Sequence, residues 1–150
     1  MNNDAIKKAS EIIATKTDYV GGGMEGYAVL SLIDENGYPS TSALTIAKAD
    51  GINWLTFASS PDSNKAKRIA KNNKASVCIA SPEYNITLVG TIEEVTNMEC
   101  KKNSWCDLMN DGAHWSSYED PNFFVMCFTT ERYSIFIIDG ENMLDATGNI

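Results

Sequence analysis

From residue 27 onward the chain is built from short β-favouring runs separated by tight-turn signals, a pattern that restricts it to a small antiparallel β fold. Tyr27–Ile33 is apolar, and Asp34-Glu35-Asn36-Gly37 follows it. Asn-Gly takes positive φ readily and so closes a hairpin. Ser40–Lys48 alternates enough to be the partner strand, Ala49-Asp50-Gly51 turns again, and Ile52–Ala58 completes a three-stranded meander. Two further strands are expected at Ala75–Ser81 and Asn85–Val95, joined by Pro82-Glu83-Tyr84, and two more at Phe123–Thr129 and Tyr133–Asp139, before a polar tail. Six or seven such strands, interrupted by a helix after the third, predict a mostly β fold with flanking helices: a small closed antiparallel barrel.

The helices have their own signals. Ile6, Ala9, Ile12 and Ile13 form an apolar stripe among the charges of residues 4–16, with Asn3 or Asp4 available as cap. Ser59-Ser60-Pro61-Asp62 is expected to open a second helix, because serine caps free amides and proline suits a first turn. Lys65, Ala66, Ile69 and Ala70 continue it to Asn72-Asn73. Thr96-x-x-Glu99 has the form of a capping box and predicts a third helix to about Met109. Between them, Gly21-Gly22-Gly23 lies after a helix and before a strand, the reverse of a phosphate-cradling glycine loop, and reads as a connector.

At 150 residues the chain is expected to be one domain, with 1–20 as helix and linker, 26–95 as barrel core, 96–109 as helix and 123–139 as closing strands. Its net charge of −8 argues against a nucleic-acid partner. No window approaches the roughly 18 apolar residues of a membrane span. A single histidine, His114, excludes multi-histidine metal sites. Cys78, Cys100, Cys106 and Cys127 contain no CxxC pair, and with no signal-peptide pattern at the N-terminus a reducing, cytoplasmic location without disulfides is expected.

The stretch with the most chemistry runs from Trp54 to Ile69. A strand ends at Phe57-Ala58, and the chain passes through Ser59, Ser60 and Ser63 into a helix start with Lys65 in its first turns. Hydroxyls, free amides and an ammonium together suit a phosphate; the same residues also describe an ordinary capped helix with surface lysines. Residues 59–74 carry Lys65, Lys67, Arg68, Lys71 and Lys74 against the single acid Asp62, a local cationic patch on an acidic protein. The long loop Asn110–Asn122 holds His114 and Trp115, the latter either a stacking surface for a ring or an anchor that pins the loop.

The order of these features resembles the pyridoxamine 5′-phosphate oxidase-like FMN-binding split-barrel family, most closely its short general stress protein type. The resemblance rests on the Asn-Gly hairpin, Gly37-x-Pro39, the Trp54–Ala58 strand, Ser63-x-Lys65, Val77-Cys-Ile, Leu88-Val89-Gly90-Thr-Ile-Glu-Glu and Asp120-Pro121-Asn122-Phe123-Phe124-Val125. It implies a split barrel that holds FMN at a homodimer interface. By position, Ser42, Ala43, Leu44 and Thr45 would line one flavin edge, Phe57 and Ala58 would contact it from the next strand, and Ser63 and Lys65, helped by Ser59 or Ser60, would hold the phosphate. Asn85 falls where the family places an amide against the ring system, and Phe136 where it carries an aromatic near the partner's flavin.

Three positions depart from the family pattern: Ser42 replaces a frequent arginine, Ala47 a frequent lysine, and Asn64-Lys65 an Arg-Lys pair. Each lost charge-assisted hydrogen bond is worth roughly 1.5–3 kcal/mol. The Arg-x-His segment used for vitamin B6 is absent, the only arginines being Arg68 and Arg132. The resemblance therefore implies an FMN-dependent oxidoreductase, with NAD(P)H as a possible electron donor, acting on something other than vitamin B6. A non-catalytic flavin- or phosphate-ligand-binding stress or sensing module, or a heme or deazaflavin binder, are the other readings of the same fold.

Overall fold

The structure, a computed structural model, describes residues 2–18 and 26–150; the Gly21–Gly23 connector lies outside the described residues. The elements run α1 (Asn2–Ala14), β1 (Tyr27–Ile33), β2 (Pro39–Asp50), β3 (Trp54–Ser59), α2 (Asn64–Lys71), β4 (Lys74–Ser81), β5 (Tyr84–Val95), α3 (Met98–Ser104), β6 (Phe124–Asp139) and β7 (Asn142–Asn149). The sheet order is β3-β2-β1-β4-β5-β6-β7, and β3 also pairs with β6, so six antiparallel strands close a barrel and β7 is added outside it.

Alternation makes the barrel. Leu30 and Leu32 of β1, Val77 and Ile79 of β4, Ile86, Leu88 and Ile92 of β5, and Met126 and Phe128 of β6 all point inward and are almost wholly buried. Each such side chain contributes roughly 1.5–3 kcal/mol through its burial. α1 packs against the same core through Ala5, Ala9 and Ile13, the face its sequence periodicity marks. A second, smaller cluster of Ala47, Cys106, Met109, Trp115, Phe123 and Val125 forms outside the barrel under residues 105–123.

Two bulges shape the closure. The β2–β3 register shifts between Ile46 and Ala49, and both Ile46 and Ala47 are buried in succession, Ile46 in the barrel and Ala47 in the outer cluster. The Thr56 hydroxyl accepts from the Lys48 amide at 3.1 Å and fastens this bulge. On the other side, the β5–β6 register shifts at Val89/Gly90, leaving Glu131 as the extra residue.

Several expectations are corrected. α2 begins at Asn64, not at Ser59-Ser60-Pro61, and its cap is Ser63, whose Oγ accepts from the Ala66 amide at 3.1 Å. α3 is capped by Asn97, whose Oδ1 accepts from the Glu99 and Cys100 amides, and it ends at Ser104; a separate 3-10 turn covers Asp107–Met109. Asparagine binds two amides directly and takes the capping place of Thr96, while at the other end the Trp105 amide turns back to the Lys102 carbonyl at 3.2 Å and closes the helix. The strands expected at 123–129 and 133–139 are one 16-residue strand, β6. Its first half pairs with β3 and its second with β7, so the polar tail is in fact a strand. Gly140, at φ 65°, makes the tight turn between β6 and β7.

Candidate functional site

The site begins where the barrel comes apart. β2 and β3 pair at Ile46↔Phe57, but among the described residues no pairing between them continues beyond it: Pro39–Thr45 pair as strand only with β1, and Ala58 and Ser59 only with β6. The two strands diverge there, so Ser42, Ala43, Leu44 and Thr45 stand on one side of the split and Ala58, Ser59 and Ser60 on the other. Unpaired backbone in such a gap needs other hydrogen-bond partners, and a polar ligand can supply them.

On the β3 side the hydroxyls are organised. Ser59 Oγ donates to Ser63 Oγ at 3.1 Å, and Ser63 in turn caps α2. The Ser63 amide bonds back to the Ser60 carbonyl at 3.1 Å, which folds the turn tightly before the helix. Lys65 follows in the first turn, half-buried. Phe57 sits differently from its neighbours: it is 0% exposed, packed in the barrel core and paired on both sides with Ile46 and Met126.

A cleft of about 440 Å³ joins this turn to the long loop, lined by Ala58, Ser59, Ser60, Ala113, His114, Trp115 and Asn122. Trp115 is 8% exposed; its Nε1–H donates to the Asn122 carbonyl at 2.8 Å and its ring meets Phe123 edge-on at 5.4 Å. It is thus an anchor for the loop and at the same time part of the cleft wall. Asp111 holds the preceding turn: its carboxylate accepts from the Ala113 and His114 amides and lies 2.6 Å from His114 Nδ1. Those hydrogen bonds, the Ala113 amide first, lower its pKa to about 2. Larger clefts, each about 510 Å³, lie beside Lys16 and Tyr84 and, on the other side of the turn at Pro61, beside Ile69 and Ile92.

Asn85 is not brought to this cleft. It lies exposed on the outer sheet face, cross-strand from Ala80 and Phe136, and its Oδ1 accepts from the Thr87 hydroxyl at 3.0 Å. Three strand positions separate β5 from β2 in the sheet. Within one copy of the chain, then, Asn85 and the serines belong to different places. Arg68, beside the split, is already engaged, donating to Glu35 Oε1 and to Ser40 Oγ, both at 3.1 Å; Lys48, on the paired side of the bulge, is ion-paired with Asp18. Arg68 and Asn122 are the residues that sequence reasoning missed. Arg68 carries a signal in the cationic stretch and Asn122 one in Asp120-Pro121-Asn122; the reach of Arg68 to Ser40 depends on how α2 lies on the β1–β2 hairpin.

A six-stranded barrel opened between its second and third strands, with a capped helix at the opening, defines a split barrel. The family model for pyridoxamine 5′-phosphate oxidase matches residues 24–136, and the chain belongs to that family. Among solved structures, it is similar to a Clostridium acetobutylicum protein related to general stress protein 26 of Bacillus subtilis, with 21% identity over 98% of this chain and 96% of that one and a TM-score of 0.76. A pyridoxamine 5′-phosphate oxidase-related, FMN-binding protein from Nostoc punctiforme is similar at 13% identity, 99% and 95% coverage and a TM-score of 0.65. A heme binding protein from Mycobacterium smegmatis is similar at 19% identity, 95% of this chain and 57% of that one, with a TM-score of 0.66. At these identities the likeness is one of fold. The comparison with curated proteins finds no match.

Proposed function

We propose that this chain is an FMN-binding flavoprotein that holds its cofactor at a homodimer interface and acts as a flavin-dependent oxidoreductase. The observation that carries the reading is the split itself, with Ser59, Ser60 and Ser63 gathered at the start of α2 and the β2 segment from Ser42 to Thr45 across the gap. The donor set fits a phosphate monoester: three hydroxyls, the amides of the first helical turn and the Lys65 ammonium. The β2 edge, from Ser42 to Thr45, offers unpaired backbone groups to a polar ring edge, and Trp115 with Asn122 closes the far wall. A bound flavin supplies hydride and electron transfer, and the protein residues bind, orient and exclude water.

Position Asn85 completes this reading only through a second copy. The outer face that carries it also exposes Val29 (38%), Phe136 (41%), Ile138 (42%) and Met143 (72%), which is a run of apolar side chains on one sheet surface. Apolar exposure on that scale marks an interaction face. Replacing Phe136 by Glu is expected to turn a dimer into a monomer in light scattering while the circular dichroism spectrum stays native. A variant that remains dimeric places the interface elsewhere.

The direct test is fluorescence quenching on titration with FMN. Binding is expected, and Lys65→Ala should weaken it about tenfold, in line with the loss of one charge-assisted contact. Riboflavin affinity, which lacks the phosphate, should be unchanged by the same substitution. A wild-type protein that does not quench FMN fluorescence defeats the reading.

A second reading has a specific observation behind it. Arg68, which reaches β2 beside the split, is held by Glu35, and Ser42 contributes no charge, so the charge offered to a phosphate comes from Lys65. That arrangement favours a weakly held ligand and a non-catalytic stress or sensing module. NAD(P)H consumption by the FMN-loaded protein with several acceptors separates the two: turnover supports the oxidoreductase, binding without turnover the module. The absorption spectrum of the purified protein distinguishes flavin from heme or a deazaflavin. A cytoplasmic location belongs to the same proposal.

A further inference from the structure

Away from the split, on the outer side of β3 and β6, a cleft of about 460 Å³ runs under α3. Its walls include Lys48, Trp54, Thr56, Cys100, Cys127 and Thr129. Two of the four thiols therefore face one cavity from two different elements, Cys100 from α3 and Cys127 from β6. Cys127 lies opposite Thr56 and Glu93 in the sheet and is half-buried, whereas Cys100 is exposed. The Cys127 thiol makes a long contact, 4.0 Å, to the Phe128 carbonyl, and the Thr129 side chain also hydrogen-bonds with it. Burial pushes the Cys127 thiol pKa up, against the hydrogen bond from Thr129.

The other thiols are placed differently. Cys106 is 5% exposed in the outer cluster, its Sγ 3.5 Å from the Ala47 carbonyl, and burial pushes its pKa up to about 11. Cys78 lies on the sheet face with Val29 and Thr87.

The geometry points to Cys100 and Cys127 as a reversible thiol pair, oxidised by hydroperoxides to a disulfide that ties α3 to β6. The accessible Cys100 thiolate attacks the peroxide: an S–O bond forms, the O–O bond breaks, and the second oxygen leaves as an alcohol, or as water from hydrogen peroxide, after taking up a proton. The Cys127 sulfur then attacks the Cys100 sulfenic acid. The S–S bond forms, the S–O bond breaks, and water departs with the proton from Cys127. The two thiols together lose two electrons and the peroxide gains them. A dithiol reductant restores both thiols.

The consequence would reach the candidate site. α3 leads directly into residues 105–123, which carry Trp115 and Asn122 to the cleft at Ser59 and Ser60. Pinning α3 to β6 therefore restricts the segment that supplies one wall of that cleft. This step does not depend on FMN, so failure of the flavin reading and failure of the thiol pair are separately visible.

The test treats the full chain with a small excess of hydrogen peroxide and follows intact mass without reductant. A loss of two hydrogens per chain is expected, with a Cys100–Cys127 cross-linked peptide after proteolysis and full reversal by dithiothreitol. Cys100→Ser, on an exposed helix position, should abolish the species, and Cys78→Ser should leave it intact. Accumulation of Cys100 as sulfenic or sulfinic acid with no intramolecular disulfide overturns the inference. So does a disulfide that joins two chains or uses Cys78 or Cys106.

Discussion

Gly90→Ala is expected to cost roughly 4 kcal/mol or more, a loss at the far end of what single substitutions produce. A Cβ built on Gly90 would stand 1.9 Å from the Thr129 carbonyl oxygen and 3.0 Å from its carbon. Both are backbone atoms of β6, so no side-chain rotation relieves the clash. β5 and β6 form the longest pairing in the barrel, from Tyr84↔Ile137 to Val95↔Val125, and the bulge at Gly90 is where its register changes. Separating the strands there strips ladder bonds and moves Ile92 and Leu88 out of the core. A chain of this size is held by only about 5–15 kcal/mol in all. The measurement is a urea or thermal unfolding curve, with a fall of roughly 8–16 °C in midpoint if the variant stays soluble. Gly37→Ala is the control: nothing lies within 4 Å of a Cβ there, and only its φ of +84° opposes alanine. Its cost should be about 1–2 kcal/mol. Equal losses at the two positions would show that close approach at Gly90 is not the cause.

Gly90 also shows what sequence can and cannot convey. Its place in Leu88-Val89-Gly90-Thr-Ile-Glu-Glu is part of the family resemblance, but nothing local says that the next strand's carbonyl occupies the space of a side chain. The same division holds elsewhere. β1 and the Asn36-Gly37 turn are legible because alternation and turn chemistry are local signals, and the strand bounds expected there are the ones found. β6 is not: its two halves serve different neighbours, so a polar break at Thr130-Glu131-Arg132 looks like a loop although a bulge carries the strand through. β7 has too little apolar content to mark it, with only Ala146 buried, and it exists because β6 offers it an edge. At the site, Ser59, Ser60, Ser63 and Trp115 are readable as candidates, whereas the meeting of Ser59 and Ser60 with Trp115 in one cleft follows from the fold of the long loop. Asn85 illustrates the opposite limit, since its position was inferred by resemblance and lies on another face of the chain.

Phe123→Ala should unfold one part of the molecule before the rest. Phe123 is 0% exposed at the centre of the outer cluster, edge-on to Trp105 at 5.2 Å and to Trp115 at 5.4 Å, with the Lys101 ammonium 5.8 Å from its ring centre. Removing the ring costs roughly 3–5 kcal/mol in a core that cannot collapse. Here the cost falls on a cluster that lies outside the barrel and is built mostly from residues 105–123. The barrel core of Leu30, Leu55, Phe57, Leu88 and Phe128 makes no use of Phe123. Regions held by few apolar contacts open with lower free energies than the global transition. Amide exchange in residues 105–122 should therefore accelerate by two or more decades, while β4 and β5 amides keep most of their protection. Trp115 would lose the ring it packs against and, with it, its fixed place beside Ser59 and Ser60. FMN affinity should then fall in Phe123→Ala by more than the global stability change accounts for, whereas Leu88→Ala, a barrel substitution of similar cost, should leave the affinity of the folded fraction unchanged. If both variants lose affinity and protection alike, the loop and the barrel are one cooperative unit. The wall that Trp115 provides would then be a property of the whole fold.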